Sequence, residues 1–96
     1  MRRNQKLTKV IVGRTIKAVT TEPGSVLVVF DDQSNMKVKT AGPATIPPGG
    51  KVKAVQETNA DFKIEFENGS SATLRLADPG SSVAVRDKNN AVEYLG

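Results

Sequence analysis

The stretch Val26-Leu27-Val28-Val29-Phe30-Asp31 decides the fold, because it returns 36 positions later as Phe62-Lys63-Ile64-Glu65-Phe66-Glu67. Both versions put apolar side chains at every second residue and end on Phe followed by an acid. That two-residue period belongs to a strand with one face in a core. The same offset, without a gap, lays Gly13-Arg14-Thr15-Ile16-Lys17-Ala18-Val19 over Gly49-Gly50-Lys51-Val52-Lys53-Ala54-Val55. It lays Met36-Lys37-Val38-Lys39-Thr40-Ala41 over Ala72-Thr73-Leu74-Arg75-Leu76-Ala77, and Pro43 over Pro79. Over 33 aligned positions, 8 are identical. Internal repeats are therefore expected at about 13–45 and 49–81, behind a basic N-terminal segment 1–12.

Each repeat reads as a three-stranded meander. The first strand is expected at 15–21 and 51–57, the second at 25–31 and 61–67, and the third at 35–40 and 71–76. Glu22-Pro23-Gly24-Ser25 suits a type II turn, with Pro fixing φ and Gly accepting a positive φ. Glu67-Asn68-Gly69-Ser70 carries Asn-Gly, a strong hairpin signal. Its counterpart Asp31-Asp32-Gln33-Ser34 lacks Gly, so a looser or longer turn is expected there. A terminal hairpin pairs 83–86 with 91–95, giving eight strands. The joining segment 40–50 holds Pro47-Pro48 and Gly49-Gly50, which fit neither helix nor ladder. A single domain 1–96 is expected: mainly β, a small barrel or sandwich from two tandem meanders plus the hairpin. Its size and strand density resemble those of SH3-like small barrels, a likeness of fold that implies little about function.

Strict alternation sorts the side chains. Val26, Val28, Phe30, Phe62, Ile64 and Phe66 are expected inside, with Met36, Val38, Ala72, Leu74 and Leu76. From the first strands Ile16, Ala18, Val52 and Ala54 should join them. Val19, Leu27 and Val29 should point outward and form an apolar patch in need of a cover. Leu7, Val10 and Ile11 have helical spacing, Asn4 can cap and Gly13 can terminate. One short helix at about 5–12 is thus expected to lie on that patch; a homodimer interface is the alternative.

The chain has 14 Lys+Arg against 10 Asp+Glu, and no Cys, His or Trp. Without Cys or His, disulfides, thiolate chemistry, cysteine zinc sites and the usual general base are excluded. The charge is uneven. Residues 1–17 hold Arg2, Arg3, Lys6, Lys9, Arg14 and Lys17 and no acid, while the other 79 residues hold eight bases and ten acids. Such a basic arm can bind phosphates by releasing counterions, with Lys37, Lys39, Lys51 and Lys53 extending the patch. Against this, three of the four aromatic residues are assigned to the core, which leaves no base-stacking platform. Asp31-Asp32 and Glu67 are better read as turn residues than as cation ligands. Pro47-Pro48-Gly49-Gly50-Lys51 lacks phosphate-loop spacing, and no Ser or Thr has an activating base.

The expectation is accordingly a non-enzymatic binding or assembly module without catalytic, cofactor or metal residues. Its partner would be another macromolecule met at Val19, Leu27 and Val29. The alternative is a nucleic-acid-binding protein using the basic arm. Apolar runs are too short for a membrane span, so a cytoplasmic protein is expected.

Overall fold

A computed structural model describes residues 2–78 and 80–96; Pro79, and with it the Pro43–Pro79 match, lies outside the described residues. The order of elements is β1 (Arg2–Arg3), α1 (Gln5–Ile11), β2 (Ile16–Glu22), β3 (Ser25–Phe30) and β4 (Asn35–Lys39). Then come β5 (Val52–Glu57), β6 (Asp61–Phe66), β7 (Ser71–Arg75), β8 (Val83–Arg86) and β9 (Val92–Leu95). Two antiparallel sheets result, ordered β1-β5-β6-β7 and β2-β3-β4-β8-β9. The fold is mainly β and sandwich-like. Between the sheets only the single bridges Thr15↔Lys51 and Thr40↔Leu76 are made among the described residues, so the ladders do not close into a barrel.

Each bridge joins a residue to its own counterpart 36 positions on, which requires a pseudo-two-fold axis between the two meanders. The backbone obeys that axis in detail. Ile16 N–H donates to the Gly50 carbonyl, and Val52 N–H to that of Arg14. Gly49 N–H donates to Ile16 and Gly13 N–H to Val52; Ala41 N–H donates to Arg75 and Ala77 N–H to Lys39. Phe30 pairs with Ile16 as Phe66 pairs with Val52. Each half therefore satisfies backbone groups of the other, and their apolar faces merge. Phe30, Phe62, Phe66, Met36, Ile64 and Leu74 are buried in one cluster.

The turns match as well, against expectation. Gln33 takes φ 72° where Gly69 takes 89°. Phe30 N–H donates to Ser34 as Phe66 N–H does to Ser70, and the side chains of Asp32 and Asn68 each accept the N–H two residues on. The turn without Gly is thus neither looser nor longer. Its Asx hydrogen bond and ladder hold Gln33 in a left-handed conformation that Gly would adopt at lower cost.

The sorting of the first strands needs a correction. A β-bulge between Ile16 and Ala18, repeated between Val52 and Ala54, inserts one residue. An inserted residue reverses the faces of everything after it. Ala18 therefore pairs with Val29 on the outside, and Val19 pairs with Val28 on the inside, where it packs against the core. Val55 likewise pairs with Ile64 and is buried, while Ala54, opposite Glu65, is buried as expected.

The helix forms where expected: the Asn4 side chain accepts from Leu7 N–H, and Val12 N–H closes the last turn on Thr8. Its position differs. It packs on β5 and β9 rather than on β3, and Leu7 and Ile11 enter the core between the sheets. The Thr8 hydroxyl accepts from Val55 N–H (3.0 Å), and Asn4 N–H donates to the Val55 carbonyl (2.8 Å). Arg2 and Arg3 are a ninth strand rather than a free arm, paired with Glu57 and Gln56.

Candidate interaction face

The outer faces of the two sheets are chemically different. On the four-stranded sheet, Gln56, Lys63 and Thr73 share one row, and Asp61 stands opposite Arg75. Lys63 Nζ reaches Glu65 at 4.0 Å. Charges on that face answer one another, and the surface is an ordinary solvated one.

The five-stranded sheet has a different outer face. Residues paired across an antiparallel ladder point the same way, so the register itself gives the rows. One row runs Thr20, Leu27, Lys37, Ala84, Leu95. The next runs Ala18, Val29, Asn35, Arg86, Val92. A third holds Glu22, Ser25 and Lys39. Of the four large apolar residues exposed among the described residues, three lie here: Leu27 at 36%, Val92 at 48% and Leu95 at 68%. The cations are Lys37, Lys39 and Arg86; the one acid among the described residues of these rows, Glu22, stands on the far strand. Among the described residues no helix covers the face, since α1 meets β9 on its core side, where Asn4 donates to Tyr94, which stands opposite the buried Val85.

Between Lys37 and Lys39 on one side and Leu95 on the other is a cleft of about 350 Å³, with Ala84 and Val83 in its lining and Ser81 and Ser82 at its end. A cleft of this kind, apolar inside and cationic along one side, fits an apolar side chain next to a negative charge.

The residues expected to form an interface thus divide. Leu27 and Val29 share this face, while Val19 is on the core side. Ala84, Arg86, Val92 and Leu95 were missed. Alternation over the terminal hairpin carries the signal for them, but only after β8 is known to pair with β4.

The six expected phosphate-binding residues divide as well. Arg2, Arg3 and Lys6 line one open groove beside Glu57, Thr58 and Asn59. Lys9 and Lys17 are exposed on α1 and at the bulge of β2. Arg14 is occupied elsewhere. Its guanidinium grips the Glu93 carboxylate with two bonds of 3.0 Å and donates to the Ser34 hydroxyl at 3.0 Å. It also approaches Asp32 at 3.5 Å and lies 5.9 Å from the centre of the Phe30 ring. This ties β9, the first repeat's turn and the core together. Lys51, another of the added lysines, is 3.6 Å from Glu67. The position equivalent to Arg14 is Gly50, where a Cβ would stand 2.6 Å from the Phe66 ring. One repeat therefore covers its Phe with a cation, and the other lets the ring fill the space itself.

Two carboxylates are shifted. Burial pushes Asp32 upward, but hydrogen bonds from Ser34 and the Arg14 charge together outweigh it and hold the group below its ordinary value. Burial raises Glu57, against a hydrogen bond from the Asn4 side chain that pulls it down. No group of three His, Cys, Asp or Glu among the described residues is placed to hold a metal ion. No described helix is long and apolar enough to cross a membrane. In comparisons with known proteins, the chain matches no family model, no curated protein and no solved structure.

Proposed function

We propose that this protein is a non-catalytic docking module that holds another protein on the outer face of its five-stranded sheet. The observation that supports this is the concentration of Leu27, Val92 and Leu95, with Lys37, Lys39 and Arg86, on one uncovered face. Exposed apolar side chains gathered into a patch with a polar rim are characteristic of interaction surfaces. The test is a double substitution, Leu27→Glu with Leu95→Glu. Both side chains are exposed, so stability should change by less than about 0.5 kcal/mol each. A partner recovered by affinity capture, then purified and shown to bind one-to-one, should lose that binding with the double variant. Retained binding would count against the face.

A second reading keeps the basic end. Arg2, Arg3 and Lys6 share one groove, and such a cluster suits a phosphate backbone. Substituting all three by Ala should remove salt-sensitive binding to a nucleic-acid duplex. If the wild-type protein shows no gel shift at about 50 mM salt, this reading falls.

A further inference from the structure

We propose that the occupant of the sheet face is an acidic protein segment whose apolar side chain enters the cleft between Lys37, Lys39 and Leu95. This rests on the docking reading above and adds the chemistry of the partner. Lys37 and Lys39 are consecutive outward residues of β4, so their ammonium groups stand on one side of the cleft. Arg86, one row away, extends the positive strip. Among the described residues no ion pair answers this strip: Glu22 of β2 shares the row of Lys39 but Ser25 stands between them, and Glu93 of β9 is held by Arg14. The opposite sheet shows what a self-compensated face looks like in the same chain, with Lys63 beside Glu65. A partner that buries the apolar surface must therefore bring carboxylates.

Three other occupants fit less well. A second copy stacked on the same face would set Lys37 and Lys39 against their own counterparts. A nucleic acid would find no aromatic side chain in these rows on which to stack a base. A flat lipid surface would meet the exposed Leu27, Val92 and Leu95 but would leave the concave lining of Ala84 and Val83 unfilled.

The experiment is amide-resolved NMR of the full chain with defined probes. The first is a capped peptide, Asp-Glu-Leu-Phe-Glu-Asp. Controls replace its four acids by Lys, or its Leu-Phe by Ser-Ser. Further probes are an oligothymidylate and vesicles of phosphatidylserine with phosphatidylcholine. The acidic apolar peptide should shift the amides of Lys37, Lys39, Ala84 and Leu95. The double substitution Lys37→Glu with Lys39→Glu should weaken it about tenfold. Both lysines are exposed, and an unchanged spectrum elsewhere verifies the fold of the variant. Equal binding by either control peptide overturns the proposal. So does a response of these amides to the vesicles or the oligonucleotide but not to the peptide, and so does no response at about 1 mM peptide. If the peptide fails while Leu27→Glu with Leu95→Glu still abolishes a purified partner's binding, the acidic chemistry is wrong and the docking face stands. If the face variant also has no effect, the docking reading fails with it.

Discussion

Replacing Arg14 by Ala should be among the most damaging changes at any charged residue of this chain. The side chain is 17% exposed and Glu93 28% exposed, so their two bonds of 3.0 Å are shielded on one side. Exposed ion pairs contribute about 0.2–1 kcal/mol, and hydrogen bonds to charged groups in dry sites about 1.5–3. A half-shielded bidentate pair falls between, at about 1–1.5 kcal/mol. The position over Phe30 adds about 0.5–1 kcal/mol. The total is a loss of about 1.5–2.5 kcal/mol, with the Ser34 hydroxyl keeping its existing bond to Asp32. For a domain of this size about 4–8 °C of Tm accompanies each kcal/mol, so the midpoint should fall by roughly 6–20 °C. Urea unfolding followed by far-ultraviolet circular dichroism gives the value, and Lys9→Ala serves as a solvated control. A double cycle with Glu93→Ala should return a coupling of about 1 kcal/mol. A loss below about 0.5 kcal/mol for Arg14→Ala, or no coupling to Glu93, would mean that the network contributes nothing and that Arg14 is free to serve elsewhere.

Gln33→Gly should stabilise by about 0.5–1 kcal/mol, because it relieves a left-handed backbone in the turn where the other repeat already has Gly; a loss measured by the same unfolding assay would refute that. Phe30→Ala and Phe66→Ala should each cost about 3–5 kcal/mol, and a difference between them of more than about 2 kcal/mol would deny their equivalence. Asp32, held below its ordinary value, stabilises the fold above its unfolded pKa, and that contribution disappears as pH falls through the folded one. Asp32→Asn should therefore be less stable than wild type at pH 7, with the difference shrinking as pH falls below the ordinary Asp value of about 3.9. Glu57 has the opposite sign, since a raised carboxylate opposes folding once it ionises. Glu57→Gln should equal or exceed wild type at pH 7, with the difference fading below about pH 4.

The meander, the turns at Pro23-Gly24 and Asn68-Gly69 and the helix were legible in the sequence because each depends on local chemistry; the turn at Asp32-Gln33 was not, since nothing local shows Gln33 taking the conformation of Gly69. Val26, Val28 and Phe30 alternate cleanly, and so do their counterparts. The bulge was written there too, though it was read as alternation. Ile16-Lys17-Ala18-Val19 and Val52-Lys53-Ala54-Val55 both place two apolar residues in succession after a Lys. Ile16 and Val19, like Val52 and Val55, are three positions apart, and both can face a core only if an extra residue shifts the pleat. Strict alternation without that extra residue puts Val19 outside, whereas the bulge turns it in. What remained hidden is long-range. Arg14 and Glu93 are 79 positions apart, and nothing near either announces the pair. The helix stripe of Leu7 and Ile11 shows that some apolar surface awaits it, but not which. It filled the gap between the sheets, where both side chains are fully buried, and so left Leu27 and Val29 uncovered. The interaction face is in that sense a consequence of where the helix went.

Native-state hydrogen exchange tests most directly whether two equivalent meanders form one interdependent core. Ile16 and Val52 each donate to the opposite half, as do Ala41 and Ala77. Their amides should open only with global unfolding, at one free energy shared with the core amides of both repeats. If the amides of one meander exchange at a distinctly lower free energy while those of the other stay protected, the halves are separate units and the shared core is contradicted.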